Sequence, residues 1–156
     1  MTAHITPARS DSDIACVRGL FLEYAESIGI DLEYQGFSKE LATLPGKYAP
    51  PAGELLIATV NGQPAGCVAL RALDTATLEM KRLYIRPSSR GLGLGKQLVE
   101  SAIAAARQRG FAELRLDTLE SMAAARALYT SLGFAEIPPY GDAHIPGTKF
   151  YALVLT

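Results

Sequence analysis

Arg90, Gly91, Leu92, Gly93, Leu94, Gly95 and Lys96 stand in one uninterrupted run, and this is the stretch whose residue types could do chemistry on a phosphorylated ligand. Glycines let backbone take positive φ or approach a ligand closely. A following helix would aim bare amides and the positive end of its dipole at an anion. From Lys81 to Lys96 the chain carries five basic residues, Lys81, Arg82, Arg86, Arg90 and Lys96, and no acid. The whole chain has a net charge of only −1, so this is a local concentration of positive charge, suited to holding phosphates or to forming a solvated strand edge. Two familiar phosphate loops do not fit. A Walker loop requires glycine at 90 and Ser or Thr at 97, where Arg90 and Gln97 stand. A dinucleotide fingerprint starting at Gly91 and Gly93 requires glycine at 96, where Lys96 stands.

The elements around this loop follow from patterning. Thr77–Ile85 mixes β-branched, aromatic and alternating residues and reads as a strand that Pro87 ends. After the glycines, Leu94, Leu98, Ala102 and Ala105 or Ala106 recur at helical spacing, with Gly110 as the stop and Arg107 and Arg109 against the negative end of the dipole. Upstream, Thr2–Ala8 reads as a strand and Ser10 caps a helix running to Gly29. A shorter helix spans Phe37–Leu44, with Ser38 near its start and Pro45-Gly46 at its end, and Tyr48–Gly53 is a loop. Glu54–Val60 and Pro64–Leu70 are strands joined by Asn61-Gly62, a tight-hairpin signal, and a turn near Asp74 leads into Thr77–Ile85. Downstream, Glu113–Thr118 is a strand reached by a crossover and therefore parallel to Thr77–Ile85. A helix over Ser121–Leu132 and strands at Phe134–Ile137 and Lys149–Leu155 complete the chain, with a Pro- and Gly-rich loop from Pro138 to Gly147.

Length and composition bound the function class. The 156 residues predict one domain over 1–156, with 49% apolar residues and no apolar run long enough to cross a membrane. No secretory signal is visible. Cys16 and Cys67 lie far apart with no CxxC, which suits a reducing, cytoplasmic setting and neither a disulfide nor a metal site. Charged residues at 20% leave no nucleic-acid footprint beyond the basic run.

Arg90, Gly93 and Gly95 form Arg-x-x-Gly-x-Gly, preceded by "EMKRLYIRP" and followed downstream by "ALYTSLGF". Together these resemble the GNAT superfamily of N-acetyltransferases, over roughly Leu55–Phe134 plus a C-terminal strand. The resemblance implies a mixed α/β fold: a central, mostly antiparallel sheet with flanking helices, in which Leu78–Ile85 and Glu113–Thr118 run parallel and then splay apart. It implies that acetyl-CoA is the co-substrate, with its pyrophosphate on Arg90–Lys96 (Arg90, Gly91, Leu92, Gly93, Leu94, Gly95, Lys96). Its pantetheine arm would lie along the backbone of Leu83, Tyr84 and Ile85. The implied reaction is attack of an amine on the thioester, with a small-molecule or amino-acid-like primary amine as acceptor. A peptide or protein amine, and a non-catalytic acyl-CoA-binding module, are the alternatives. Family habit allows a homodimer, which no sequence feature specifies.

Two residues are candidates for moving protons. Tyr129, in "ALYTSLGF", matches the helix tyrosine that reaches the CoA sulfur in the family; the same spacing also suits a core tyrosine beside Ala125 and Leu132. Glu79 alternates onto one face with Lys81, Leu83 and Ile85. Burial there would raise its pKa and make it a base, acting directly or through water, while a simple pair with Lys81 fits equally. Many relatives carry an asparagine where Met122 stands, and Ser121 beside it is expected either to cap the helix or to replace that contact. His4 reads as structural or solvent-facing. His144 lies in the late loop with Tyr140 and Asp142, on the expected acceptor side. Asp31, Glu33 and Glu40, with Tyr34, Phe37 and Tyr48, give the early segment an acidic and aromatic character that suits a cationic amine.

Overall fold

A computed structural model describes residues 2–141 and 144–156. Seven strands form one sheet in the order β1-β2-β3-β4-β5-β7-β6. They are β1 (Ala3–Pro7), β2 (Glu54–Val60), β3 (Gln63–Ala72), β4 (Thr77–Ile85), β5 (Glu113–Leu119), β6 (Ala135–Ile137) and β7 (Thr148–Val154). Four α-helices accompany them: α1 (Asp11–Ile28), α2 (Phe37–Thr43), α3 (Leu94–Gln108) and α4 (Ala123–Ser131). Every strand pair is antiparallel except β4–β5.

Local chemistry explains the boundaries. The Ser10 hydroxyl accepts from the amide of Asp13, whose carboxylate in turn accepts from the Ser10 amide, closing a capping box at the start of α1. Asn61 and Gly62 both take positive φ, as the tight two-residue hairpin between β2 and β3 requires. The Asp74 carboxylate accepts from the amides of Ala76 and Thr77 and turns the chain into β4. Helix α4 is shorter than its pattern suggests. Met122 is its N-cap and makes no side-chain cap bond, so Ser121 does not cap it. Leu32–Gln35 forms a 3₁₀ turn that the sequence pattern does not announce; its N-cap is Asp31, whose side chain accepts from the Glu33 amide.

The sheet divides two cores. Leu70, Leu78 and Met80 pack with Leu98, Val99 and Ala102 of α3 and with Tyr129 of α4. On the other face, Ala69, Cys67 and Tyr84 pack with Val17, Leu20 and Phe21 of α1 and Phe37 of α2. No helix among the described residues is long and apolar enough to cross a membrane.

One irregularity in the sheet decides which β4 side chains face the site. The β3–β4 register slips between Cys67 and Ala69, where a bulge in β4 holds Arg82 at φ 63°. An extra residue reverses the in/out alternation of the strand beyond it. Leu78 and Met80 therefore face the α3 core, and so do Leu83 and Ile85 beyond the bulge. The expectation that Glu79 shares a face with Leu83 and Ile85 is thus corrected: it shares one with Lys81 only, on the α1 side.

Candidate active site

The β4–β5 ladder runs from Thr77–Glu113 to Met80–Leu116 and then stops, although both strands continue. The strands part there, leaving the backbone of β4 beyond Met80 without a partner on its β5 side. Lys81 and Asp117 are next in register, and their charges meet across the apex of this opening at 3.7 Å. Two crevices share the apex. Lys81, Arg82, Asp117, Thr118, Met122 and Tyr24 line both. Toward α4 the opening continues past Leu83, Ala125 and Tyr129; toward α1 it continues past Ile28, Leu32, Tyr34 and Gln35.

Tyr129 is delivered to this opening by α4. Its ring leans on Phe134 and Tyr151, with centroids 5.8 and 6.1 Å away. Its hydroxyl makes no hydrogen bond among the described residues. Burial, reinforced by the Tyr24 and Asp117 charges, pushes its pKa above the ordinary tyrosine value, so the hydroxyl keeps its proton at neutral pH.

Glu79 occupies a different position from the one expected. It is 2% exposed and lines neither crevice. Arg71 Nε donates to one carboxylate oxygen at 2.8 Å, and the Tyr140 hydroxyl donates to the other at 2.7 Å. Lys81 Nζ lies 3.8 Å away. Burial pushes the carboxyl upward, but the Lys81 ammonium, the Tyr140 hydroxyl and the Arg71 guanidinium together hold it below the usual carboxylate range. The expected rise is therefore corrected: this carboxylate stays ionised and is a weakened base.

The basic run is also redistributed. Arg82 is buried, donating to both oxygens of Glu40 and to Gln35 Oε1. Arg86 is paired with Glu23, and Lys81 lies between Glu79 and Asp117. Only Arg90 and Lys96 of the five stand exposed without an acid partner among the described residues, and Arg90 Nε is tied back to the Ile85 carbonyl. A pure phosphate cluster is thus reduced to two side chains and the loop itself. In that loop Gly93 has φ 79° and precedes α3 with no side-chain cap, leaving the first-turn amides of Leu94, Gly95 and Lys96 open. Gly95 lies against α4: an added Cβ would sit 3.6 Å from Leu128 Cδ2. Leu92 is exposed and Leu94 is buried beneath the loop.

The acids of the early segment are occupied. Asp31 caps a turn, Glu33 holds the amide and hydroxyl of Ser38, and Glu40 is bound by Arg82 and by Lys47 at 3.2 Å. They do not form a free acidic wall for a cation. Ser121 is exposed and borders a separate hollow with Leu119, Glu120 and Ile145, whereas Met122 lines the opening and accepts a bond from the Thr118 hydroxyl. His4 is exposed on β1. His144 is exposed and meets Phe150 edge-on at 5.5 Å. Asp142 lies outside the described residues. Sequence reasoning missed Arg71 and Asp117 as site residues, and it placed Tyr140 on the acceptor side without its bond to Glu79. For Asp117 a signal existed, because extending the parallel register by one rung places it opposite Lys81.

The buried carboxylates predict a pH dependence of stability. Glu40, Glu54 and Glu79 all have pKa values held below the ordinary range; in each, burial pushes up and partner cations and hydrogen bonds pull down harder. A depressed folded pKa contributes stability that is complete above the unfolded value of about 4.3 and is lost as pH falls through the folded value. The urea midpoint is expected to be flat from pH 7 to about pH 5 and to fall below that. A midpoint unchanged at pH 3 would contradict the ion-pair network.

A family model for the acetyltransferase (GNAT) family matches residues 21–134. The chain belongs to the GNAT family. An uncharacterised N-acetyltransferase of Schizosaccharomyces pombe is 37% identical over 97% of this chain and 94% of its own. The fold matches that of a GNAT-family acetyltransferase from Staphylococcus aureus with a TM-score of 0.83, at 21% identity, covering 99% of this chain and all of the other. A Salmonella typhimurium protein, yncA, solved with its cofactor acetyl-CoA, matches with a TM-score of 0.70 at 21% identity, over all of this chain and 95% of its own. The GNAT chain described here is accordingly an acyltransferase, with the mixed sheet and splayed parallel pair expected of the family.

Proposed function

We propose that this GNAT protein transfers an acetyl group from acetyl-CoA to a primary amine of a small-molecule or amino-acid-like acceptor, by direct attack while both are bound. The observation that carries the reading is the splayed β4–β5 opening, with the open amides of α3 at one end and the protonated Tyr129 hydroxyl inside it. The residues fit the co-substrate: Arg90 and Lys96 flank uncapped amides at a helix N-terminus, where a pyrophosphate is favoured. The unpaired backbone around Leu83–Ile85 can pair with an amide-bearing arm as an added strand would. Bound acetyl-CoA supplies the thioester.

In the transfer the acceptor nitrogen bonds to the acetyl carbon and the carbon–sulfur bond breaks. The amine loses one proton and the departing thiolate gains one. Tyr129 donates to that thiolate, and burial keeps the phenol protonated so that the donor is present at neutral pH. Glu79 acts at a remove. With both oxygens already accepting bonds, it orients Arg71, Lys81 and Tyr140, and a proton reaches it only through the Tyr140 hydroxyl or a water. Both cysteines are free, which fits a reducing, cytoplasmic setting.

The loop assignment yields a separable prediction. At Gly93 an added Cβ meets no atom within 4 Å, but Gly93→Val forces a branched residue to φ 79°, a strain of about 1–2 kcal/mol. It is expected to weaken acetyl-CoA binding at least about tenfold by closing the backbone's approach to the pyrophosphate; unchanged affinity by calorimetry would sink the loop assignment. The function itself is tested by titrating acetyl-CoA, CoA and ATP, then assaying free-thiol release over a panel of primary amines. Acetyl-CoA binding with ATP silent, and thiol release with one amine class, is the expected result. Binding without turnover on any amine would point to a non-catalytic acyl-CoA-binding module.

A further inference from the structure

We infer that Asp117 is the carboxylate that touches the acceptor nitrogen and takes its proton, with Glu79 as a positioning residue behind it. This rests on the acetyl-transfer reading above and assigns a further catalytic residue within it.

The two carboxylates at the apex differ in what they are free to do. Glu79 is sealed, and both its oxygens accept short hydrogen bonds. Asp117 has a side chain 23% exposed and accepts no hydrogen bond among the described residues; its one charged partner is Lys81 at 3.7 Å. A base must come within about 2.6–3.2 Å of the atom that bears the proton it removes. Only Asp117 faces the opening, where it borders both crevices together with Lys81 and Thr118.

The surroundings converge on it from every side. Lys81 and Arg82 of β4 flank it, and Tyr24 of α1, Tyr34 of the 3₁₀ turn, Tyr129 of α4 and Tyr140 of the late loop are each close enough to feel its charge. Burial is the larger cause of each phenol's raised pKa, and the Asp117 charge adds to all four. Asp117 is therefore the negative centre of the opening, on the same crevice system as the Tyr129 hydroxyl.

The chemistry balances without further reagents. The acceptor nitrogen forms its bond to the acetyl carbon as Asp117 receives the nitrogen's proton; sulfur leaves with the carbon–sulfur electron pair and is protonated by Tyr129, and the proton on Asp117 returns to the Tyr129 phenolate through water in the shared crevice. On the acceptor side the crevice wall mixes Ile28, Ile30, Leu32 and Tyr34 with Gln35 and Thr148, so the amine panel spans apolar and polar substituents.

The test compares Asp117→Asn, Asp117→Ala and Glu79→Ala, using acetyl-CoA and the best amine from a panel that includes 2-phenylethylamine, isoamylamine and lysine. Asp117→Asn, nearly isosteric, is expected to lower kcat/KM for the amine about 100-fold with acetyl-CoA affinity and the urea midpoint little changed. Added formate should restore turnover in Asp117→Ala and leave Glu79→Ala unaided, because only the first vacates space open to the crevice. A purely structural aspartate would show no such rescue, so rescue remains decisive even if Asp117→Asn folds poorly. Activity within threefold of wild type in Asp117→Asn, or rescue confined to Glu79→Ala, would overturn the assignment. Wild-type protein that binds acetyl-CoA yet releases thiol with no amine would remove the transfer reading and Asp117's role together, a result distinct from a wild-type enzyme whose Asp117 variants remain active.

Discussion

Tyr129→Phe is expected to lower kcat about 100-fold or more while acetyl-CoA affinity and the urea midpoint stay close to wild type. The ring makes the packing contacts, with Phe134 and Tyr151 at 5.8 and 6.1 Å, and phenylalanine keeps them. The hydroxyl has no partner among the described residues, so its removal strands no other group and costs little stability. On the proposed mechanism, what it takes away is the proton donor for the departing sulfur, a hydroxyl that its raised pKa keeps protonated at neutral pH. A poorer leaving thiolate is the consequence, and acetyl donors carrying a more acidic leaving thiol should feel the change less. Turnover within twofold of wild type would remove Tyr129 from the chemistry and leave it as a core residue.

Arg82→Met is expected to cost about 3–5 kcal/mol of stability, measured as a lowered urea midpoint at pH 7. The guanidinium is 2% exposed and holds both oxygens of Glu40, itself 3% exposed, while sitting 5.2 Å from the Phe37 ring. Removing it leaves a buried carboxylate with Lys47 alone at 3.2 Å. The double variant Arg82→Met/Glu40→Met should recover part of the loss, because the penalty lies in the unpaired charge more than in the absent pair. The same contacts tie α2 and Gln35 to the bulge of β4, so the amine KM is expected to rise in the single variant even where the protein remains folded. A loss below 1 kcal/mol would mean that water reaches Glu40 and that this face is looser than its burial indicates.

The two variants probe parts of the molecule that were unequally legible. Tyr129 could be picked out because helix and motif are local: residues three and four apart share a face whatever the rest of the chain does. Arg82 could not be read as a structural residue, since its partners Glu40 and Gln35 lie 42 and 47 positions away. Glu79 shows why parity arguments along a strand fail at a bulge. Strict alternation placed it with Leu83 and Ile85, but one residue at φ 63° rotates the strand beyond it by a half-period. Its pKa went astray for a related reason. Desolvation can be guessed from an apolar strand, whereas what outweighs it is Arg71 of β3, Lys81 of β4 and the Tyr140 hydroxyl from a loop 61 residues downstream.

By itself the amino-acid sequence determined the order of the strands and α-helices, though not the 3₁₀ turn at Leu32–Gln35, and with it the Asn61-Gly62 hairpin, the capped α1, the parallel β4–β5 unit and the glycine loop leading into α3, because each depends on dihedral preference and short-range periodicity. It also carried the motif that places the chain among the GNAT acyltransferases. Only the tertiary structure decided which charges are free. It paired Arg82 and Arg86, sealed Glu79 behind Arg71 and Tyr140, and left Asp117 facing the opening. Whether a charged side chain is a partner or a reagent depends on which other charges come within a few ångströms of it, and that distance is set by packing among residues far apart in the chain.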